Sequence, residues 1–222
     1  MASGIQYHAS LSATTWTQIA AGPASSATAQ VLTVSVVNRG AATATISLAM
    51  SLTSAGTTPA SSDYLLYQNP LPPGGVFEQK VIVLAYGYQL LGWASTGNFS
   101  FTVHGLEGGN GSTAIGRVGA VALTSQTLGS GTSIWSGPAS GRMATTTVQL
   151  TNSTSSAVTI YLFISTTPTA PSTSDYIEYA FSLPAYGTLS RTGLVLSNNY
   201  SLGATATGTG VNAVAWCIDS TA

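Results

Sequence analysis

The chain has 222 residues, a net charge of −1, and 5% charged against 44% hydrophobic residues. With five basic residues in all, nucleic-acid binding lacks its electrostatic term, and a charged fraction far below the roughly 25% usual for soluble proteins excludes a charge-rich disordered chain. The composition is rich in Ser, Thr, Ala and Gly with short β-branched and aromatic runs, which argues for an all-β protein; a mean hydropathy of +0.31 argues that part of its surface is made to be covered.

Residues 1–8 hold no basic n-region and no apolar h-region, so a secretory signal is not expected. Alternating runs separated by Gly, Pro, Asn and Ser clusters then predict strands near Ile5 to Leu11, Val31 to Val37, Thr43 to Met50, Tyr64 to Tyr67, Val76 to Leu84, Tyr88 to Ala94 and Asn98 to His104. Phe99, Phe101 and Val103 alternate with polar residues, which points one face inward. Between strands, Asn38-Arg39-Gly40 supplies residues that tolerate positive φ, and Leu71-Pro-Pro-Gly-Gly75 joins fixed φ to permissive glycine. A seven-stranded count of this kind predicts an antiparallel β-sandwich, Ig-like or jelly-roll.

Past Gly108-Gly-Asn-Gly-Ser-Thr113, which reads as a flexible linker, the pattern starts again. Asn38 to Ser51 returns as Asn152 to Ser165, and Pro59-Ala-Ser-Ser-Asp-Tyr64 as Pro171-Ser-Thr-Ser-Asp-Tyr176. From Pro59 to Glu107 the register is a constant 112 residues, with 13 of 49 positions identical. A unit this long is a duplicated domain and not a solenoid repeat. The expected organisation is therefore two sandwich modules, residues 1–107 and 114–222, joined by 108–113. The repeat also serves as an internal alignment, because what recurs was kept to build the fold.

Chemistry is sparse along both copies. Of six carboxylates, Asp63 and Asp175 match across the repeat, as do Glu107 and Asp219; the other two are Glu78 and Glu178. In Ser-Asp-Tyr the aspartate is expected to accept backbone N–H bonds at the turn entering the next strand, and Glu107 and Asp219 to be end-of-strand surface charges. His8 and His104 have no second-copy counterparts and no cluster of further ligands, so no metal site is expected. Cys217 has no basic neighbour in sequence to activate it and cannot close an intrachain disulfide, which fits synthesis in a reducing cytoplasm. No nucleophile elbow, P-loop or zinc-protease motif occurs, so neither a catalytic residue nor a cofactor site is predicted. No apolar run reaches the ~18 residues of a membrane helix. The sequons at Asn98, Asn110, Asn152 and Asn199 reflect an Asn- and Ser-rich composition. Trp16, Trp93, Trp135 and Trp216 do not recur in register; Trp93, matched by Thr205, is the candidate for an outward aromatic face able to contact a glycan.

The stretches V-V-N-R-G-A (36 to 41), S-D-Y (62 to 64), L-P-P-G-G (71 to 75) and F-T-V-H-G-L-E (101 to 107) resemble the small all-β virion proteins of tailed bacteriophages. The resemblance is stronger in the first copy; in the second, N-R-G-A becomes N-S-T-S and H-G-L-E becomes W-C-I-D. It implies a non-enzymatic structural subunit of the virion, decorating the capsid or forming part of the tail, collar or fibre. Its implied partners are other virion proteins and copies of itself, with no nucleic acid and no membrane. A carbohydrate-binding or host-adhesion module, meeting a surface glycan, is the alternative.

Overall fold

The computed structural model describes residues 3–52, 56–109 and 116–221. Among these, sixteen strands account for nearly all regular structure, with one short 3-10 turn at Ser61–Asp63. The first module contains β1 (Ser3–Ser10), β2 (Thr17–Ala21), β3 (Thr28–Asn38), β4 (Ala44–Ser51), β5 (Tyr64–Leu71), β6 (Val76–Ala85), β7 (Gln89–Ala94) and β8 (Phe99–Gly109). The second contains β9 (Gly116–Leu123), β10 (Thr132–Trp135), β11 (Arg142–Asn152), β12 (Val158–Ser165), β13 (Tyr176–Leu183), β14 (Thr188–Ser197), β15 (Ser201–Ala206) and β16 (Val211–Thr221). Each module thus has eight strands where the sequence pattern predicts seven. The additional strand in the first module is β2, Thr-Gln-Ile-Ala-Ala, whose only large apolar residue is Ile19.

Strand order settles the architecture. The first module pairs as β1-β8-β3-β6 and β2-β7-β4-β5, and the second as β9-β16-β11-β14 and β10-β15-β12-β13. Eight antiparallel strands in this alternating order, with strand one beside strand eight, form a jelly roll and not an Ig-like sandwich. The second module repeats the first strand for strand. Every strand from β5 to β8 reappears 112 residues on as β13 to β16, with both ends shifted alike.

Period-2 alternation builds each core. In the first module Leu32, Val34 and Val36 of β3, Ile46 and Leu48 of β4, and Phe99, Phe101 and Val103 of β8 are all buried. In the second, Val148, Leu150, Ile160, Leu162, Leu202 and Ala213 lie in a single apolar cluster. Burying side chains of this size contributes about 1.5–3 kcal/mol each, the main term against chain entropy.

The chain divides into two compact units, residues 1–60 with 66–111 and residues 61–65 with 112–222. Within the latter, Thr151 Oγ1 donates to the Leu65 carbonyl at 3.0 Å and the amide of Gln149 donates to the same oxygen. At the predicted linker, Gly108 and Gly109 continue β8, while 110–113 lie outside the described residues.

The Asn38-Arg39-Gly40 turn works differently from its predicted chemistry. None of Asn38, Arg39 and Gly40 has positive φ. Asn38 acts through its side chain: Nδ2 donates to the carbonyls of Ala42 at 2.9 Å and Leu71 at 2.8 Å, and Oδ1 accepts the Gly40 N–H at 2.9 Å. Asn152 repeats the arrangement, donating to Ser156 at 2.7 Å and Pro184 at 2.9 Å and accepting the Thr154 N–H at 2.9 Å. In each copy one buried amide ties two loops together. In the Pro-Gly turn the permissive glycine is Gly74, φ 68°, as the run of Pro-Pro-Gly-Gly predicts. Gly75 is required on different grounds, since a Cβ there would sit 2.9 Å from the Pro72 carbonyl oxygen.

Candidate functional site

Among the described residues those with chemical potential are scattered, and several of the carboxylates are engaged in the fold. Asp175 accepts the Ser172 N–H at 2.9 Å, the turn cap read from its sequence. The Ser165 hydroxyl, with that Ser172 amide, holds its carboxyl below the ordinary aspartate value of 3.8. Asp63 is buried in the 3-10 turn that leads into β5. Glu107, near the end of β8, is half-buried and accepts from Gln30 Nε2 at 3.0 Å. Asp219 lies opposite Ala144 in the ladder. Glu78 accepts from Lys80 at 2.9 Å, and that bond with its charge holds the Glu78 carboxyl below the ordinary 4.5. Glu178 is hydrogen-bonded by Arg191 Nε.

His8 and His104 are both exposed on the β1-β8-β3-β6 sheet, where Gln6 faces His104 and His8 faces Thr102. His8 also lines a shallow cavity of about 250 Å³ with Ala9, Ser10, Ser100, Phe101 and Thr102. Among the described residues no three of His, Cys, Asp and Glu converge on a point, and Cys217 is buried. Asn152 of the third sequon is fully buried and its amide is engaged, so it offers no glycan attachment.

Of the tryptophans, Trp16 and Trp216 are buried, while Trp93 on β7 and Trp135 on β10 are half-buried. A more open aromatic group exists in the second module. Tyr161, Tyr176 and Tyr179 meet edge to face, with ring centroids 5.2 to 5.9 Å apart, and Tyr179 is 60% exposed. Comparing the two copies obscures this group, because Tyr176 and Tyr179 recur while Tyr161 has no first-copy partner.

What the fold leaves open is surface. Leu106 on β8 and Ile218 on β16 occupy the same repeat position and are 60% and 44% exposed. Leu106 faces Val31 across the ladder, itself partly exposed, and Ile218 faces Thr145, beyond which stands Val195, 62% exposed. Both modules therefore present apolar side chains at equivalent places on equivalent sheets. Val81, another exposed apolar residue on β6, has φ 56°, a region costly for a β-branched residue; its counterpart is Gly193, φ 74°.

These features define a tandem jelly-roll protein without an assembled reaction centre among its described residues. No family model matches the chain, and no curated protein matches it. Among solved structures it is similar to the crystal structure of the STIV MCP, with a TM-score of 0.33 and 10% identity over 97% of this chain and 95% of that one. It is also similar to a chain in the atomic structure of Sulfolobus Turreted Icosahedral Virus, with a TM-score of 0.26 and 12% identity, covering 96% of this chain and 55% of that one. Likenesses this loose leave the functional argument to the chain's own strand order and surface.

Proposed function

We propose that this chain is a non-enzymatic structural subunit of a virion, built of two jelly-roll modules at 1–107 and 114–222 and working through subunit contacts. The observation that carries the reading is the pair Leu106 and Ile218, apolar and exposed at one repeat-equivalent place in each module of a chain with 5% charged residues. Exposed apolar groups on a nearly uncharged surface favour association, and each Å² buried contributes about 25 cal/mol before association costs. Jelly rolls recur in viral capsids and lectins, which agrees with a building or binding role. Two modules engaging together add avidity without new contacts.

The finer reading, from the resemblance of V-V-N-R-G-A, L-P-P-G-G and F-T-V-H-G-L-E, is a tailed-phage protein on the capsid exterior or in the tail, collar or fibre. Counting the protein in purified particles by quantitative mass spectrometry tests both levels. Hundreds of copies per particle support capsid decoration, and a few to a few dozen support a tail or collar part. Absence from purified particles overturns the virion reading.

Host adhesion through a glycan is the second reading, favoured by the exposed ring of Tyr179 beside Tyr161 and Tyr176 more than by half-buried Trp93. Saturable binding on a glycan array, lost in Tyr179→Ala or Trp93→Ala, supports it. No binding by the wild-type protein removes it.

A further inference from the structure

Among the described residues eight strands form the edges of the four sheets, and seven carry a feature that discourages pairing with another chain. β2 and β10 are short, five and four residues, and each has a register shift. β6, β9, β13 and β14 are interrupted by register shifts, and β6, β13 and β14 also carry Lys80, Glu178 and Arg191 respectively. β5 holds the left-handed Gln68 and Pro70. β1 has none of these. Its eight residues, Ser-Gly-Ile-Gln-Tyr-His-Ala-Ser, include no proline, lysine, arginine or acid and pair with β8 in one unbroken register from Ser3 to Ser10.

Among the described residues no strand pairs with the far side of β1. Its exposure agrees: Gln6, His8 and Ser10 are exposed, and even the alternate residues Tyr7 and Ala9 are only half-buried, whereas Phe101 and Val103 opposite them on β8 are fully buried. An edge left with unmade N–H and C=O bonds is a template for an added strand.

We propose that β1 is a strand-pairing site and that its occupant is β1 of a second copy, antiparallel about a two-fold axis, joining two four-stranded sheets into one of eight. The other edges supply the reason for this choice: they are blunted, so a second copy can offer an open edge only through its own β1. Antiparallel pairing of a strand with itself is self-complementary and closes at two. Opposed residues must share a face, so a two-fold centred on Tyr7 sets Gln6 of each copy against His8 of the other. The strand holds no lysine, arginine or acid and the chain's net charge is −1, so little opposes the meeting of like with like.

This inference rests on reading the chain as an assembly subunit, but its test is separate from counting copies in particles, so either can fail alone. Sedimentation of the purified full chain should show a concentration-dependent dimer. Replacing both Gln6 and His8 with lysine sets like charges opposite each other across the axis and should weaken the dimer at least about tenfold. The corresponding double glutamate variant should behave the same way. Mixing the lysine and glutamate variants should restore a dimer, which damage to folding cannot do. Independently of any variant, amide exchange across β1 in the wild-type protein should slow as concentration rises. A wild-type chain that stays monomeric, variants that dimerise as well as wild type, or β1 amides insensitive to concentration overturns the proposal.

Discussion

Asn38 Nδ2 lies 2.8 Å from the Leu71 carbonyl oxygen, and this one bond joins the end of β3 to the end of β5 across 33 residues of chain. The same amide reaches Ala42, and the backbone N–H of Asn38 donates to the Gly75 carbonyl at 3.1 Å. Asn152 occupies the matching place in the second module, and its backbone N–H donates to the Gly187 carbonyl at 2.9 Å.

Replacing either asparagine with alanine leaves carbonyl oxygens without their donor in a buried site. Since each such group costs about 1–3 kcal/mol, Asn38→Ala or Asn152→Ala should lower unfolding stability by about 2–3 kcal/mol. Urea denaturation checks this, and a midpoint unchanged in both variants would contradict the tie.

A side chain at Gly75 or Gly187 has no room. The added Cβ would stand 2.9 Å from the Pro72 oxygen or 3.0 Å from the Pro184 oxygen, so valine must push the turn open. Gly75→Val and Gly187→Val should each lose about 1–3 kcal/mol in thermal or urea unfolding.

Val81→Gly should move stability the other way. The left-handed backbone costs a non-glycine residue about 1–2 kcal/mol, and glycine returns about 0.5–1 kcal/mol of that as extra chain entropy in the unfolded state. Val81 is 44% exposed, so little burial is forfeited, and differential scanning calorimetry should register a small rise in Tm.

Acid should expose the anchored carboxylates. Asp175 and Glu78 are both held below their ordinary values, 3.8 and 4.5, so each favours the folded state above its unfolded pKa and that contribution is lost as pH falls through the folded one. Asp175→Asn should therefore flatten the decline of the urea midpoint below about pH 4 and leave its slope near neutrality unchanged.

The duplication and the alternation are visible in the letters, and with them seven strands of the first module and the Ser-Asp-Tyr turn. Strand order is not, because period-2 patterning says which face a residue takes and nothing about which strand lies beside it. The role of Asn38 is ambiguous in sequence for a related reason: asparagine suits both a left-handed turn and a side-chain tie, and only the nearness of Leu71 in space selects between them. The exposure of Leu106 and Ile218 leaves no signal, since an apolar residue at a strand end looks the same inside or out. The open edge of β1 emerges only once every other edge has been located.

Three left-handed positions recur at the 112-residue spacing, and at each the occupant has changed: Gln68 and Ala180, Gly74 and Tyr186, Val81 and Gly193. Torsion angles have thus outlived the amino acids that adopt them. Kinship to this chain is better sought by comparing where the main chain kinks than by matching residues, which have already drifted apart between its own two halves.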